Sequence, residues 1–121
     1  MTMVRGLRGA TTANDNTREA VLEATKELLE KLVEANDLKL DDLAATFFTT
    51  SPGLNAEFPA VAARQLGWEY VPLICGHEMT VPTGLPLCIR VMILVNTEKS
   101  PKEMSHLFLR DAKNLRSTDI S

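Results

Sequence analysis

Cysteine is scarce in this chain: two residues in 121, Cys75 and Cys88, with two histidines beside them. That excludes a disulfide framework, and no Cys/His set has the spacing of a zinc cluster. Basic runs are missing as well. The 13 lysines and arginines are scattered among 16 acidic residues for a net charge of -3, which argues against a face that tracks nucleic-acid phosphates. No apolar stretch is long enough and uninterrupted enough to span a bilayer, and Met1 to Gly6 has no apolar signal core. The expectation is a soluble, unprocessed protein of a reducing cytoplasm, with no membrane and no nucleic-acid partner. There is no Gly-rich phosphate loop, no repeat and no low-complexity segment. At 121 residues the size prior gives a single domain over 1–121.

What is present is a regular alternation of elements. Val4 to Thr12 reads as an opening strand ended by Ala13-Asn14-Asp15-Asn16. Asn16 and Glu19 have capping-box spacing, and Val21, Ala24, Leu28 and Leu32 form one apolar helical face, so a helix runs from there to about Asn36. Leu43 to Thr50 is a second strand stopped by Ser51-Pro52-Gly53. Ala60 to Leu66 is a second helix, with Pro59 in its first turn and Gly67 at its C-cap. Val71 to Cys75 is a third strand. Leu87 to Val95 is a long fourth one, Pro101 to Met104 at most one helical turn, and His106 to Leu109 a last strand before a mobile polar end, Ser117 to Ser121. This is an α+β domain with helices on one face of a mixed sheet. Both parities of Ile89 to Val95 are apolar, so the uncovered face calls for a second subunit and a homo-oligomer is expected.

Arg90 stands inside that most apolar run, and a guanidinium cannot lose its proton to escape a dry environment. Either an internal carboxylate neutralises it or it faces a pocket that takes an anionic ligand, and read alone it fits both. Glu78, just past the third strand, is the available carboxylate, although a lone loop glutamate is more often solvated. Arg8 is a second arginine near a strand end, Arg64 a third on the second helix, and each taken singly is surface charge. Cys75 reads as a small buried hydrophobe, since no partner activates it. Phe58, Phe108, Trp68 and Tyr70 read as packing residues, and His77 and His106 receive no role. Together, arginines at strand ends with one carboxylate, no metal set and no Ser/His pairing suggest recognition of a small dianion without covalent or metal chemistry.

The set Arg5-Gly6-Leu7-Arg8-Gly9-Ala10-Thr11-Thr12, Phe58-Pro59-Ala60, Val71-Pro72-Leu73-Ile74-Cys75-Gly76-His77-Glu78-Met79 and Cys88-Ile89-Arg90-Val91-Met92 closely resembles the monofunctional AroH-type chorismate mutases, over nearly the whole chain. The resemblance implies a homotrimer with a barrel-like centre, three clefts between subunits, and the cofactor-free rearrangement of chorismate to prephenate in phenylalanine and tyrosine biosynthesis. It implies that Arg90 donates to the ether oxygen and a carboxylate, that Arg8 binds a carboxylate, and that Glu78 and the region of Ile74 and Cys75 hold the ring hydroxyl. From the neighbouring chain Phe58 and Ala60 would line the cleft and Arg64 would add charge at its mouth. Leu115 and Arg116 match the segment that closes over the site.

Two positions depart from the family pattern. Phe108 stands where relatives often carry a tyrosine, so that side chain offers no hydrogen bond to substrate, and Val61 stands where some carry a lysine. Two other classes share parts of the description: the reactive-intermediate deaminases, small trimers with an arginine in an intersubunit cleft, and non-catalytic trimeric metabolite-binding proteins. The fuller motif match favours the mutase.

Overall fold

In the computed structural model residues 2–115 are described. The elements follow as β1 (Met3–Thr12), α1 (Arg18–Asn36), β2 (Leu43–Thr50), α2 (Pro59–Gln65), β3 (Leu73–His77), β4 (Cys88–Thr97) and β5 (Leu107–Phe108), with short 3₁₀ turns at Leu40–Asp42, Pro101–Glu103 and Arg110–Asn114. The strands make one sheet in the order β3-β2-β4-β1-β5. At its centre β4 runs antiparallel to both β1 and β2, while β3 joins β2 and β5 joins β1 in parallel. The architecture is the expected α+β mixed sheet.

Alternation along β4 divides its side chains cleanly. Ile89, Val91, Ile93 and Val95 are buried on one face, where Leu28, Leu29 and Leu32 of α1 and Ala63 of α2 pack with Leu7 and Phe48 of the neighbouring strands. Each buried Val, Leu, Ile or Phe among them contributes about 1.5–3 kcal/mol by leaving water. Gly9 lets α1 lie directly on β1: a Cβ there would sit 2.7 Å from Leu32 Cδ1 and 3.1 Å from Leu28 Cδ1. That contact fixes the strand carrying Arg8. Neither α1 nor α2 lies over the even-numbered face, where the 3₁₀ turn at Arg110–Asn114 covers Ala10 and Cys88, and Phe47 and Ile74 remain 43% and 60% exposed there, next to half-buried Met92 and Leu94.

Local readings shift in three places. The cap of α1 is Thr17, whose Oγ1 accepts from Ala20 N–H at 3.1 Å, so the Asn16/Glu19 capping box does not form. Asn16 instead accepts from the amides of Asn55 and Ala56, a tertiary partner that spacing cannot reveal. The third strand begins at Leu73 rather than Val71, because Pro72 has no N–H for the ladder, and it runs on to His77 beside Thr50. The last strand shortens to Leu107–Phe108. Among the described residues no helix is long and apolar enough to cross a membrane. The segment Ser117 to Ser121 lies outside the described residues.

Candidate active site

Sheet parity gathers the arginines. Arg90 on β4 lies on the uncovered face between Thr49 of β2 and Ala10 of β1, and Phe108 of β5 pairs with Ala10 one strand further on. Arg8, two residues along β1 on the same face, places its guanidinium 5.8 Å from the centre of the Phe108 ring, within reach of a cation–π contact. Its backbone N–H donates to His106 Nδ1 at 3.0 Å. Arg8, Ala10, Arg90 and Phe108 surround a cavity of about 280 Å³ that Phe47, Thr49 and Met92 also line.

Glu78 reaches the same cavity wall from the end of β3. Its N–H donates to Thr50 O at 2.7 Å, prolonging the β2–β3 ladder by one residue, and the Thr49 hydroxyl donates to its carboxylate. Arg90 Nε is 3.6 Å from Glu78 Oε2, an ion-pair distance, with the two side chains 31% and 32% exposed. A pair that open to solvent is worth roughly 0–1 kcal/mol. Its effect is therefore to orient two charged groups along a cleft more than to hold the fold. Cys88, on the same strand and face, hydrogen-bonds Arg90; burial pushes its thiol up, with Arg90 opposing and Glu78 adding to the rise.

A second group forms elsewhere. Phe58, Pro59, Cys75 and His77 line a separate cavity of about 280 Å³. Cys75 points toward α2, where it takes a backbone hydrogen bond from Ala60, one of the amides that a helix start leaves without an internal acceptor. Burial pushes the Cys75 thiol up and the Ala60 bond only partly offsets it, which keeps the sulfur protonated at neutral pH and poorly nucleophilic. Cys75→Ala is accordingly expected to lower turnover less than about tenfold, and iodoacetamide at pH 7 to alkylate Cys75 more slowly than free cysteine. Complete loss of activity in Cys75→Ala would mean that the sulfur takes a covalent part.

The remaining candidates are dispersed within the chain. Arg64 is exposed and donates to the carbonyls of Trp68 and Glu69, the latter at 2.8 Å, closing the end of its own helix. Ile74 projects from the uncovered face beside Phe47. Leu115 packs with Phe108 against Ala10, Cys88 and Ala112. Arg116 lies outside the described residues. One chain thus brings together Arg8, Arg90, Glu78, Phe108 and Leu115, with Phe58, Ala60 and Cys75 as a separate cluster. Thr49 and Cys88 were not singled out from the sequence. Their signal was parity: Thr49 two residues after Phe47 at a strand end, Cys88 two before Arg90.

Comparison with known proteins agrees over nearly the whole chain. Residues 4–119 match the family described as chorismate mutase type I. The chain is 45% identical to the chorismate mutase AroH of Bacillus subtilis over 94% of its own length and 91% of the relative's. It is 47% identical to that of Thermus thermophilus, over 94% of each. A solved chorismate mutase from Clostridium thermocellum superposes with a TM-score of 0.88 at 44% identity, covering 89% of this chain and 96% of the other.

Proposed function

The chain belongs to the chorismate mutase type I family, and on that premise we propose that it converts chorismate to prephenate, for aromatic amino-acid biosynthesis, in a cleft that two copies of the chain complete. The observation that carries the reading is the cavity shared by Arg8 and Arg90 on the sheet face that neither α1 nor α2 covers. Chorismate is a dianion, and two guanidiniums offer forked donors to its carboxylates.

The reaction breaks a C–O bond as a C–C bond forms within one molecule, and no proton changes place. Negative charge gathers on the ether oxygen in the transition state. Arg90, held in direction by Glu78 and Cys88, stabilises that oxygen more than it stabilises the ground-state ether, and this difference is what lowers the barrier. Arg8, stacked on Phe108, binds a carboxylate, and Glu78 accepts from the ring hydroxyl. Restricting the enolpyruvyl arm to a chair-like conformer over the ring contributes the rest. Ile74, on the uncovered face, stands at the hydroxyl end of the site, Leu115 packs beside Phe108 at its edge, and Cys75, in the cavity of Phe58, comes to the hydroxyl end from a neighbouring copy.

Within one chain Phe58 and Cys75 line a different cavity from Arg90, and Ala60 lies with them through its backbone bond to Cys75. A homotrimer reconciles this: Phe58, Ala60 and Arg64 of a neighbouring copy face Arg8 and Arg90 across the interface, and the apolar face of Phe47, Ile74, Met92 and Leu94 is buried between copies. The working form is a single-domain, cytoplasmic trimer. Membership of the family disfavours a deaminase or a non-catalytic metabolite-binding protein.

Incubating the purified protein with chorismate is the direct test. The absorbance of chorismate should fall without added cofactor and equally in EDTA, with prephenate as sole product. Unchanged chorismate would reject the reading in favour of a deaminase, and tight binding without turnover would favour a binding module.

A further inference from the structure

Phe58 is 67% exposed, so packing within its own chain does not fix it. The loop before it is anchored at Leu54, buried in a cluster with Val21, Ala24 and Ile89, and again at buried Pro59. Between these points Asn55, Ala56 and Phe58 are exposed, and a polar clamp from the start of α1 holds the segment. Asn16 Oδ1 accepts from the N–H of Asn55 at 3.1 Å and of Ala56 at 3.0 Å, while Asn16 Nδ2 donates to Asn55 Oδ1 at 3.0 Å. Arg18 Nε lies 3.0 Å from Glu57 Oε2, and the other oxygen of that carboxylate accepts from Phe58 N–H at 2.8 Å. Five hydrogen bonds thus converge on four consecutive residues that end at the aromatic ring. They do nothing for the helix, whose cap is Thr17.

We infer that Asn16 and Glu57, with Arg18 on Glu57, are positioning residues that preorder the Asn55–Phe58 backbone so that the Phe58 ring stands in place as a wall of the substrate cleft. The inference rests on the reading that Phe58 lines that cleft. A loop ordered before substrate arrives does not have to be ordered by it, and affinity rises by the entropy no longer lost on binding. An apolar wall touches substrate and transition state alike. Loosening it therefore raises KM and leaves kcat nearly unchanged.

The test is a double-mutant cycle between the clamp and the ring, read by steady-state kinetics on oligomeric protein. Asn16→Ala should raise KM for chorismate about three- to tenfold, the scale of one net hydrogen bond, with kcat within about twofold of wild type. Asn16→Asp keeps the acceptor for both amides and should restore KM. In a Phe58→Ala background, where KM is already raised, Asn16→Ala should add almost nothing, because coupled residues are not additive. If Phe58→Ala raises KM but Asn16→Ala does not, or if the Asn16→Ala effect persists in full without the ring, the clamp does not act through Phe58 and the inference is overturned. If Phe58→Ala leaves KM unchanged, the placement of Phe58 in the cleft fails first and the inference falls with it.

Discussion

Replacing Arg90 with glutamine is expected to lower kcat by on the order of 10²-fold or more, as when an oxyanion donor is removed, while the fold and its melting temperature stay nearly unchanged. The two halves of that expectation come from different measurements on the same residue. Arg90 and Glu78 are each about one-third exposed and sit 3.6 Å apart, so breaking the pair should cost at most about 1 kcal/mol of stability and shift Tm by no more than about 5 °C. The cavity, by contrast, is lined by the guanidinium, and the proposed reaction would develop its charge there. Arg90→Lys should fall between wild type and glutamine, since a lysine keeps the charge but loses the fork. Near-normal turnover in a folded, oligomeric Arg90→Gln would remove Arg90 from the mechanism. A large fall in Tm, with activity tracking only the folded fraction, would instead make it a structural charge.

An arginine in the most apolar run of the chain posed a question that the sequence stated correctly and could not answer. Both parities of β4 are apolar, so periodicity alone does not say which face carries the helices. Leu28, Leu29 and Leu32 settle it by packing on the odd face with Val91 and Ile93, and Arg90 is left on the other with Arg8, Thr49 and Phe108. Once strands were recognised, parity made that grouping legible. The α1 cap was one residue off for a comparable reason. Asn16 and Thr17 are both competent caps by residue type, and the choice between them is made by Asn55 and Ala56, 39 and 40 residues away. Separation of Phe58 from Arg90 into two cavities was invisible to any local pattern. Phe58 caps α2, which packs on the odd face, whereas Arg90 is on the even one, and only the family resemblance supplies the expectation that another copy brings the halves together.

Leu94→Asp tests that assembly without touching the cleft. Leu94 lies on the uncovered face of β4, paired with Gly6 and Ala45, and is four residues from Arg90, roughly 13 Å along the strand at 3.3 Å per residue. Half-buried beside two small neighbours, it leaves space for a solvated carboxylate in an isolated chain, so the fold itself should tolerate the change. In a homotrimer the same carboxylate would be driven into an apolar interface three times over, at a cost of several kcal/mol for each buried, unpaired charge. The expected result is a folded monomer by sedimentation, with kcat/KM reduced at least about 10²-fold because the neighbour's Phe58 and Arg64 no longer reach the arginine cavity. Arg8, Arg90 and Glu78 remain intact in that variant, which separates lost assembly from lost chemistry. If Leu94→Asp sediments as the wild type does and turns over chorismate at the wild-type rate, the even face of the sheet is not the interface. The same conclusion holds if the wild-type chain is itself an active monomer, and Arg8 and Arg90 would then work with the residues of their own chain alone.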